Sequence, residues 1–213
     1  MPRRILLLPE LADETGLVAV GGDLQPATLL EAYRNGVFPW YDENYPILWW
    51  SPDPRAIFEI GGLRVSRRLR RTVRSGKFAL TVNRDFAGVI RGCADRPGEG
   101  TWITADMIAA YEALHRLGHA HSVEAWYNGT LAGGVYGVAI GGLFAGESMF
   151  TRVTDASKVA LVFLMERLEQ HGFQLFDIQL LSEHTARLGA KEIPRAEYLR
   201  RLRQALKSPA TFV

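Results

Sequence analysis

Apolar residues recur with two different spacings along this chain, and the change of spacing divides it into helices and strands. Between residues 83 and 118 they recur every three or four positions, which predicts two helices. Residues 121–140 alternate instead, and the Asn128–Gly129 pair in their middle predicts a β-hairpin with a type I′ turn. Residues 141–164 begin as a third strand and continue as a helix that Asp155 caps.

The remaining elements follow from the same periodicities and from capping residues. Asn83 and Thr104 are the predicted caps of the two helices between residues 83 and 118. The other predicted elements are, in chain order, a helix from Pro26 to a stop at Gly36 with Asp23 as its cap, a basic helix from Ser66 to Gly76, a strand at 78–82, a helix at 156–170, a strand at 173–181, a short helix from Ser182 to Gly189 and a helix at 195–207.

The order of these elements predicts the fold class. After residue 77 it runs strand, helix, helix, three strands, helix, strand, helix, short strand and helix. This order predicts an α+β protein with a mostly antiparallel sheet flanked by helices, and it resembles the acetyltransferase-type (GNAT) fold. We therefore expect a small N-terminal domain at residues 1–63 and a GNAT-like domain at residues 64–213.

Residues 37–55 form a segment rich in proline and tryptophan, with four prolines and three of the five tryptophans. Prolines at this density exclude a regular helix or a central strand. The prolines would hold the aromatic rings rigidly. One interpretation is a loop pinned to the core by Trp49 or Trp50, and the alternative is a surface on which a nucleic-acid base stacks.

The composition is that of a globular protein, with 213 residues, 47% hydrophobic and 23% charged. No stretch approaches the roughly 18 apolar residues of a membrane span, and the first residues lack the pattern of a secretion signal. The single cysteine, Cys93, excludes an internal disulfide and a cysteine metal cluster, and its helical spacing predicts a core position. These features favour a cytoplasmic location.

The net charge is only +2, but the cations are unevenly distributed. Seven of them fall within residues 64–77, where there is no acid, so the segment repels itself unless a polyanion binds it. A solvated helix face is the simpler interpretation, and binding of phosphates is the functional one. The seven residues are Arg64, Arg67, Arg68, Arg70, Arg71, Arg74 and Lys77.

Three polar residues lie in strands that are otherwise apolar. Glu147 occurs in the strand of residues 143–150, and Asp177 and Gln179 stand two apart in the strand of residues 173–181, so that they share a face. Burying such groups is costly unless they are hydrogen-bonded. Glu147 could be a solvated acid and the other two a structural pair, but three such groups on neighbouring strands favour a functional site.

Several familiar motifs are incomplete. Residues 141–146 lack the Gly-Lys-Ser/Thr of a phosphate-binding loop, and Phe150 stands where a serine nucleophile elbow has glycine. His119 and His121 have no further ligands with metal-binding spacing and are expected to be structural. Residues 152–157 contain no glycine, which argues against close approach of a coenzyme A pyrophosphate.

Eight stretches, spread in order over nearly the whole chain, resemble the leucyl/phenylalanyl-tRNA–protein transferase family. They are GGDLQPATLLEAYRNGVFPW, ILWWSPDPR, GTWITADMIAAY, LHRLGHAHSVE, GGVYGVA, FAGESMF, DASKVAL and LGAKEIPRAEYL. The resemblance implies transfer of Leu, Phe and, to a lesser degree, Met from aminoacyl-tRNA to the N-terminus of proteins that begin with Arg or Lys, which marks them for degradation. It also implies an enzyme that needs no cofactor or metal. Separately from the resemblance, we expect a monomer that does not act at a membrane.

The resemblance assigns roles to residues of this chain. Trp40 and Trp102 would hold the 3′-terminal adenosine of the tRNA, with Tyr33 and Tyr111 beside them. The aminoacyl side chain would lie in an apolar pocket formed by Phe144, Met149 and Val135. Asp177 and Gln179 would be the catalytic pair, Glu147 would bind or orient the reactants, and the seven cations of residues 64–77 would bind tRNA phosphates.

The mechanism that we expect from these residues is orientation of an amine. Asp177 would hydrogen-bond the side-chain amide of Gln179, whose carbonyl oxygen would accept a hydrogen bond from the attacking α-amine. Glu147 would attract the cationic N-terminal residue of the acceptor. Two other classes of function stay open on the sequence alone: a coenzyme A-dependent N-acetyltransferase, and an RNA-binding module without catalytic activity.

Overall fold

The computed structural model describes residues 6–95 and 101–213. Within these residues the chain forms seven α-helices, ten β-strands and a short 3-10 helix, Pro9–Leu11. The helices are α1 (Pro26–Arg34), α2 (Arg67–Arg74), α3 (Phe86–Ala94), α4 (Ala105–Arg116), α5 (Ala156–Gln170), α6 (Glu183–Arg187) and α7 (Arg195–Ala205). The strands are β1 (Leu17–Val20), β2 (Phe38–Pro39), β3 (Leu48–Trp50), β4 (Arg55–Phe58), β5 (Ala79–Val82), β6 (Ala120–Tyr127), β7 (Thr130–Ile140), β8 (Leu143–Thr151), β9 (Leu175–Gln179) and β10 (Lys191–Ile193).

The strands form two sheets. The smaller has the order β1-β3-β2, and the larger has the order β10-β4-β9-β8-β7-β6-β5. All neighbouring strands are antiparallel except β8 and β9, which are parallel because α5 connects them across the sheet. The α+β class with a mostly antiparallel sheet flanked by helices is therefore confirmed.

Helices cover both faces of the large sheet. Residues of α1, α3 and α4 pack in one hydrophobic cluster with Tyr136 and Val138 of β7. Residues of α5 pack on the other face with Val135 of β7 and Phe144 of β8. A third cluster joins α7 to β4, β9 and β10. Alternate residues of β7 thus serve two separate cores, as expected for a strand with a helix layer on each side.

Several predicted elements are confirmed. Helix α5 has the predicted bounds of residues 156–170, and its predicted apolar face is buried. Asn128 and Gly129 have φ angles of 51° and 77°, so both turn residues adopt the left-handed conformation that a type I′ turn requires. Cys93 is buried in the core as predicted. Thr104 accepts a hydrogen bond from the backbone N–H of Met107 and caps α4.

Other local predictions are wrong. Asp85, rather than Asn83, caps α3, because its side chain accepts a hydrogen bond from Gly88 N. Asp23 does not occupy the cap position of α1, which Gln25 does, although its carboxylate bonds Gln25 N. Asp155 does occupy the N-cap position of α5 as predicted, but its side chain makes no capping bond and lies 3.4 Å from Lys158 Nζ. The predicted strand at 173–181 is shorter and ends at Gln179.

Residues 37–55 contain a central strand, contrary to expectation. β3 lies between β1 and β2 in the small sheet, because Pro46 and Pro52 flank the strand and leave its own N–H groups free to pair. Trp49 of this strand is buried and donates its indole N–H to Gly21 O, so it pins the segment to the core as predicted for one of the two tryptophans.

The predicted division into residues 1–63 and 64–213 stays a prediction. The large sheet includes β4, which lies before residue 63 and pairs with β9 and β10. The sequence also predicts a polar loop at residues 94–100, and residues 96–100 of it lie outside the described residues. Across the described part of the chain, no helix combines the length and the apolar character that crossing a membrane requires.

Candidate active site

The parallel strands β8 and β9 separate partway along their length. They pair from Leu143 with Leu175 to Ala145 with Asp177, and beyond that point both continue without pairing to each other. Glu147 follows on one strand and Gln179 on the other. The three polar residues predicted from the sequence are therefore brought together at the gap where the two strands diverge.

A β-bulge places Glu147 at this gap. Tyr136 pairs with Ser148 and Gly137 pairs with Gly146, so Glu147 is an extra residue of β8 that has no counterpart on β7. A bulge redirects the side chain of the extra residue and bends its strand, and bulges are frequent beside active sites. A second bulge lies opposite, because Ile178 of β9 has no counterpart on β4.

Three hydrogen-bond donors from three elements surround the Glu147 carboxylate. Tyr33 of α1 donates to Oε1 at 2.8 Å, Tyr111 of α4 donates to Oε2 at 3.2 Å, and the side-chain amide nitrogen of Gln179 donates to Oε1 at 3.0 Å. The two tyrosine hydroxyls also lie in contact with each other. Both tyrosine rings are buried, so they orient the carboxylate.

The surroundings of Glu147 shift its proton equilibrium to neutral pH. Burial raises the pKa of its carboxyl to about 7, while the hydrogen bonds from Tyr33 and Tyr111 act in the opposite direction and the nearby charge of Asp177 adds to the rise. Burial and then the charge of Glu147 raise the pKa of the Tyr33 hydroxyl well above its usual value. Both tyrosines thus stay neutral donors while Glu147 changes its charge near pH 7.

Asp177 is fully buried and accepts four hydrogen bonds. Its Oδ1 accepts from Arg55 Nε and from the backbone N–H of Gln179, each at 2.9 Å. Its Oδ2 accepts from Arg55 Nη2 at 2.6 Å and from the Tyr198 hydroxyl at 2.8 Å. The predicted bond from Asp177 to the side-chain amide of Gln179 is therefore replaced by one to its backbone, because the amide itself faces Glu147.

Arg55 is buried as deeply as its partner, with 1% of its surface exposed. Its Nη1 donates to Gly36 O at 2.9 Å, and its guanidinium carbon lies 4.8 Å from the ring centre of Phe38 and 4.4 Å from that of Tyr198. Burial opposes its charge, but the carboxylate of Asp177 outweighs burial and raises the pKa of Arg55. Arg55 thus keeps its charge inside the protein.

Sequence reasoning missed Arg55 and Tyr198. Arg55 had a detectable signal, because a charged residue that opens the apolar strand RAIF needs a buried partner of opposite charge. Tyr198 had no such signal, because a tyrosine on the apolar face of a helix does not by itself indicate a buried hydrogen-bond partner.

The two tryptophans predicted to bind adenosine line one open groove of about 770 Å³. Trp40 is 42% exposed, and its ring lies edge-on to Trp50 with 6.1 Å between the centres. Trp102 is partly exposed in the same groove. Tyr33 and Tyr111, predicted to lie near them, belong to the hydrophobic cluster against which Trp102 packs, and their buried side chains direct their hydroxyls to Glu147.

The predicted aminoacyl pocket residues belong to one hydrophobic cluster on the α5 side of the large sheet. Val135 pairs directly with Met149 across β7 and β8, and Met149 is only partly buried. Phe144 is buried under Phe212, with 5.4 Å between the ring centres. The tyrosines that bind Glu147 belong to the cluster on the opposite side.

The cations of residues 64–77 are all exposed, and Ser66 caps their helix as predicted. Asp155 partly compensates them, since its carboxylate lies 3.9 Å from Arg68 Nε. The positively charged surface extends beyond α2, because cations from α2, α5 and α6 line a cleft of about 420 Å³. These cations are Arg68, Lys158 and Arg187, together with Arg64 before α2, and His184 and Asp155 line the same cleft. Burial, followed by the charges of Lys158 and Arg187, lowers the pKa of His184.

The chain matches two family models. One, described as "Leucyl/phenylalanyl-tRNA protein transferase", covers residues 57–203, and the other, described as the N-terminal domain of the same protein, covers residues 22–53.

Sequence relatives extend over most of the chain. A leucyl/phenylalanyl-tRNA–protein transferase from Solidesulfovibrio magneticus is 61% identical over 200 residues, which cover 92% of this chain and 81% of the relative. One from Anaeromyxobacter dehalogenans is 55% identical over 204 residues, which cover 94% and 88%. Among solved structures, a GCN5-related N-acetyltransferase from Kribbella flavida is 14% identical, with a TM-score of 0.42 over 79% of this chain and 59% of that one. The chain therefore belongs to the leucyl/phenylalanyl-tRNA protein transferase family and is an aminoacyltransferase.

Proposed function

We propose that this enzyme transfers Leu, Phe and, less readily, Met from aminoacyl-tRNA to the α-amino group of proteins that begin with Arg or Lys. The product carries a new peptide bond, and the added residue is a signal for degradation. Family membership supports transfer from tRNA to protein, and one observation supports the site: the carboxylate of Glu147 is bonded to the amide of Gln179 across the gap between β8 and β9. The proposed enzyme is a monomer that works in the cytoplasm.

The reaction exchanges an ester for an amide. The nitrogen of the acceptor's α-amine forms a bond with the aminoacyl carbonyl carbon, and the bond from that carbon to the ribose oxygen breaks. The amine loses one proton and the ribose oxygen gains one, so the reaction balances without an added oxidant, nucleotide or acyl carrier. Because the ester is already activated, holding the two reactants together supplies much of the rate.

Gln179 orients the amine in this proposal. Its amide nitrogen donates to Glu147, which leaves the amide's carbonyl oxygen as the acceptor for the attacking amine's N–H. An amide is too weak a base to keep the proton, so the proton passes to the leaving ribose oxygen. Glu147, when ionised, supplies the negative charge that attracts the Arg or Lys side chain of the acceptor.

The tRNA would be bound at two further places. The groove with Trp40 and Trp102 is open enough for the 3′-terminal adenosine to stack there. The exposed cations of residues 64–77 would bind phosphates of the acceptor stem without reading its sequence. Val135, Phe144 and Met149 would surround the aminoacyl side chain, since a hydrophobic pocket suits Leu, Phe and Met alike.

The decisive experiment offers radiolabelled leucyl-tRNA to a peptide that begins with a free Arg and to the same peptide with an acetylated N-terminus. We expect label in the free peptide only, with no cofactor added, and much less label with the Gln179→Ala variant. Binding of tRNA without any transfer would instead favour an RNA-binding module. Transfer of an acetyl group from acetyl-coenzyme A, with no leucyl transfer, would favour an N-acetyltransferase.

A further inference from the structure

We propose that Arg55 and Tyr198 are positioning residues, which act through Asp177 to hold Gln179 in its working conformation. Asp177 in this proposal does not touch the substrate. The inference rests on the proposed function of Gln179. It implies that two residues outside the predicted site affect the rate of transfer. It also differs from the sequence prediction, because Asp177 supports Gln179 through the backbone N–H and not through the side-chain amide.

The surroundings of Asp177 keep a substrate from contacting its carboxylate. Its two carboxylate oxygens accept four hydrogen bonds, and none of its surface is exposed. An ionised carboxylate offers about four acceptor positions, so those of Asp177 are fully used. An amine that sought a bond to this carboxylate would have to displace the guanidinium of Arg55 or the hydroxyl of Tyr198.

Asp177 instead fixes the backbone of Gln179. Gln179 has a φ angle of 59°, in the left-handed region that residues with a Cβ rarely adopt. Such a conformation persists only where the surroundings hold it. The bond from Gln179 N–H to Asp177 Oδ1 does so, and it ends β9 with the side-chain amide of Gln179 directed at Glu147.

Arg55 and Tyr198 fix the carboxylate in turn. Arg55 donates two nearly parallel N–H bonds, one to each carboxylate oxygen of Asp177, and a further one to the carbonyl oxygen of Gly36. Tyr198 on α7 donates to Oδ2, and its ring lies against the guanidinium of Arg55. Lysine cannot reproduce the two-bond grip, because its ammonium is a single point of charge.

Kinetics of two mild variants test the proposal. Tyr198→Phe keeps the ring and removes one donor, and Arg55→Lys keeps the charge and loses the paired geometry. We expect the kcat of peptide transfer to fall roughly 3- to 10-fold in Tyr198→Phe and by more in Arg55→Lys, while KM for leucyl-tRNA stays within about twofold. Tyr127→Phe, a change at the partly exposed end of β6, is the matched control and should behave as the wild type.

The pH–rate profile separates positioning from proton transfer. A carboxylate that exchanges protons with the reactants changes its proton affinity when it loses a donor. If Asp177 only supports Gln179, Tyr198→Phe lowers the rate equally at every pH and leaves the profile in place. A displaced profile would contradict the proposal, and so would an unchanged kcat.

A second measurement tests the inference without relying on the transfer assay. Nuclear magnetic resonance of ¹⁵N-labelled enzyme observes the side-chain amide of Gln179, whose signal is assigned by its loss in Gln179→Ala. We expect this signal to move towards the position of a free glutamine in Tyr198→Phe and to stay in place in Tyr127→Phe. If the wild type transfers nothing while the signal still moves, the proposed function fails and the support of Gln179 stands. If the signal does not move in Tyr198→Phe, the inference itself is wrong. This test does not depend on whether Arg55→Lys folds.

Discussion

The side-chain amide of Gln179 lies 3.0 Å from Glu147 Oε1, although the strands that carry these residues no longer pair at that point. Each residue is released from regular sheet geometry by a bulge in its own strand, at Glu147 in β8 and at Ile178 in β9. The bond therefore bridges the two strands beyond the end of their shared pairing. In the proposed function, these two hydrogen-bonded groups orient the acceptor's amine.

The activity should depend on the ionisation of Glu147. Its pKa of about 7 predicts that transfer to an Arg-starting peptide rises as the pH increases through 7, because the carboxylate then gains the charge that attracts the acceptor. The acceptor's α-amine, with a pKa of about 8, adds a second rise. In Glu147→Gln the first rise should vanish while the second remains, and kcat/KM at pH 8 should fall by roughly tenfold or more.

Measurement of kcat/KM between pH 6 and 9 with both enzymes checks this prediction. Glu166→Gln, a change of the same type at an exposed position of α5, is the matched control and should keep both rises. A profile of Glu147→Gln with the wild-type shape would rule out the ionisation of Glu147 as its cause.

Acid should destabilise the fold through His121. Burial lowers its pKa to about 4, and its ring is held as the neutral form, accepting from Asn83 Nδ2 and donating to Gly118 O. Between pH 6.5 and 4 the unfolded chain binds a proton that the folded chain does not, so stability falls as the pH falls through this range. His121→Gln keeps a donor and an acceptor without the charge, and it should lose about 2 kcal/mol less than the wild type between pH 7 and 5.

Urea unfolding at both pH values measures that difference. The comparison has an internal reference, because the pH dependence of the two proteins should coincide above pH 7, where the histidine is neutral in both states. Equal losses of stability in acid would show that another group is responsible.

Replacing the groove tryptophans should weaken tRNA binding without affecting chemistry. A base stacked on an aromatic ring contributes about 1–3 kcal/mol, so Trp40→Ala and Trp102→Ala should each raise KM for leucyl-tRNA roughly 5- to 100-fold. The kcat at saturating tRNA should stay near the wild-type value. Trp40→Phe retains a stacking face and should recover most of the affinity, whereas equal defects in Trp40→Ala and Trp40→Phe would indicate that the ring is structural.

The exposed arginines of α2 should determine how binding responds to salt. Each duplex phosphate that a protein neutralises contributes about 0.9 to the slope of log affinity against log salt concentration. The double variant Arg70→Ala/Arg74→Ala should therefore lower the slope by about 2. Filter binding of tRNA at several salt concentrations measures it. Arg116→Ala, on the exposed surface of α4, is the control, and an unchanged slope in the double variant would place the phosphates elsewhere.

The sequence predicted most of the fold because its periodic elements are long. The bounds of α5 and the hairpin of β6 and β7 follow from spacing and from a turn that only left-handed residues can form. The sequence also identified Glu147, Asp177 and Gln179, since polar groups in apolar strands are conspicuous. The bond between Gln179 and Glu147 could not be predicted, because a bulge shifts side chains by one residue and nothing in a strand's alternation marks where the extra residue falls.

The position of β4 has a consequence for how the enzyme becomes active. Arg55 is 122 residues before Asp177 in the chain, and Tyr198 follows on α7, so the contacts that support Gln179 cannot form until residue 198 has been synthesised. Contacts so distant in sequence form late, because closing a long loop costs entropy before any contact is gained. Under the proposed function, a partly unfolded chain that lacks these contacts should transfer no amino acid even where it still binds tRNA. Transfer activity would therefore indicate that β4, β9 and α7 have already come together.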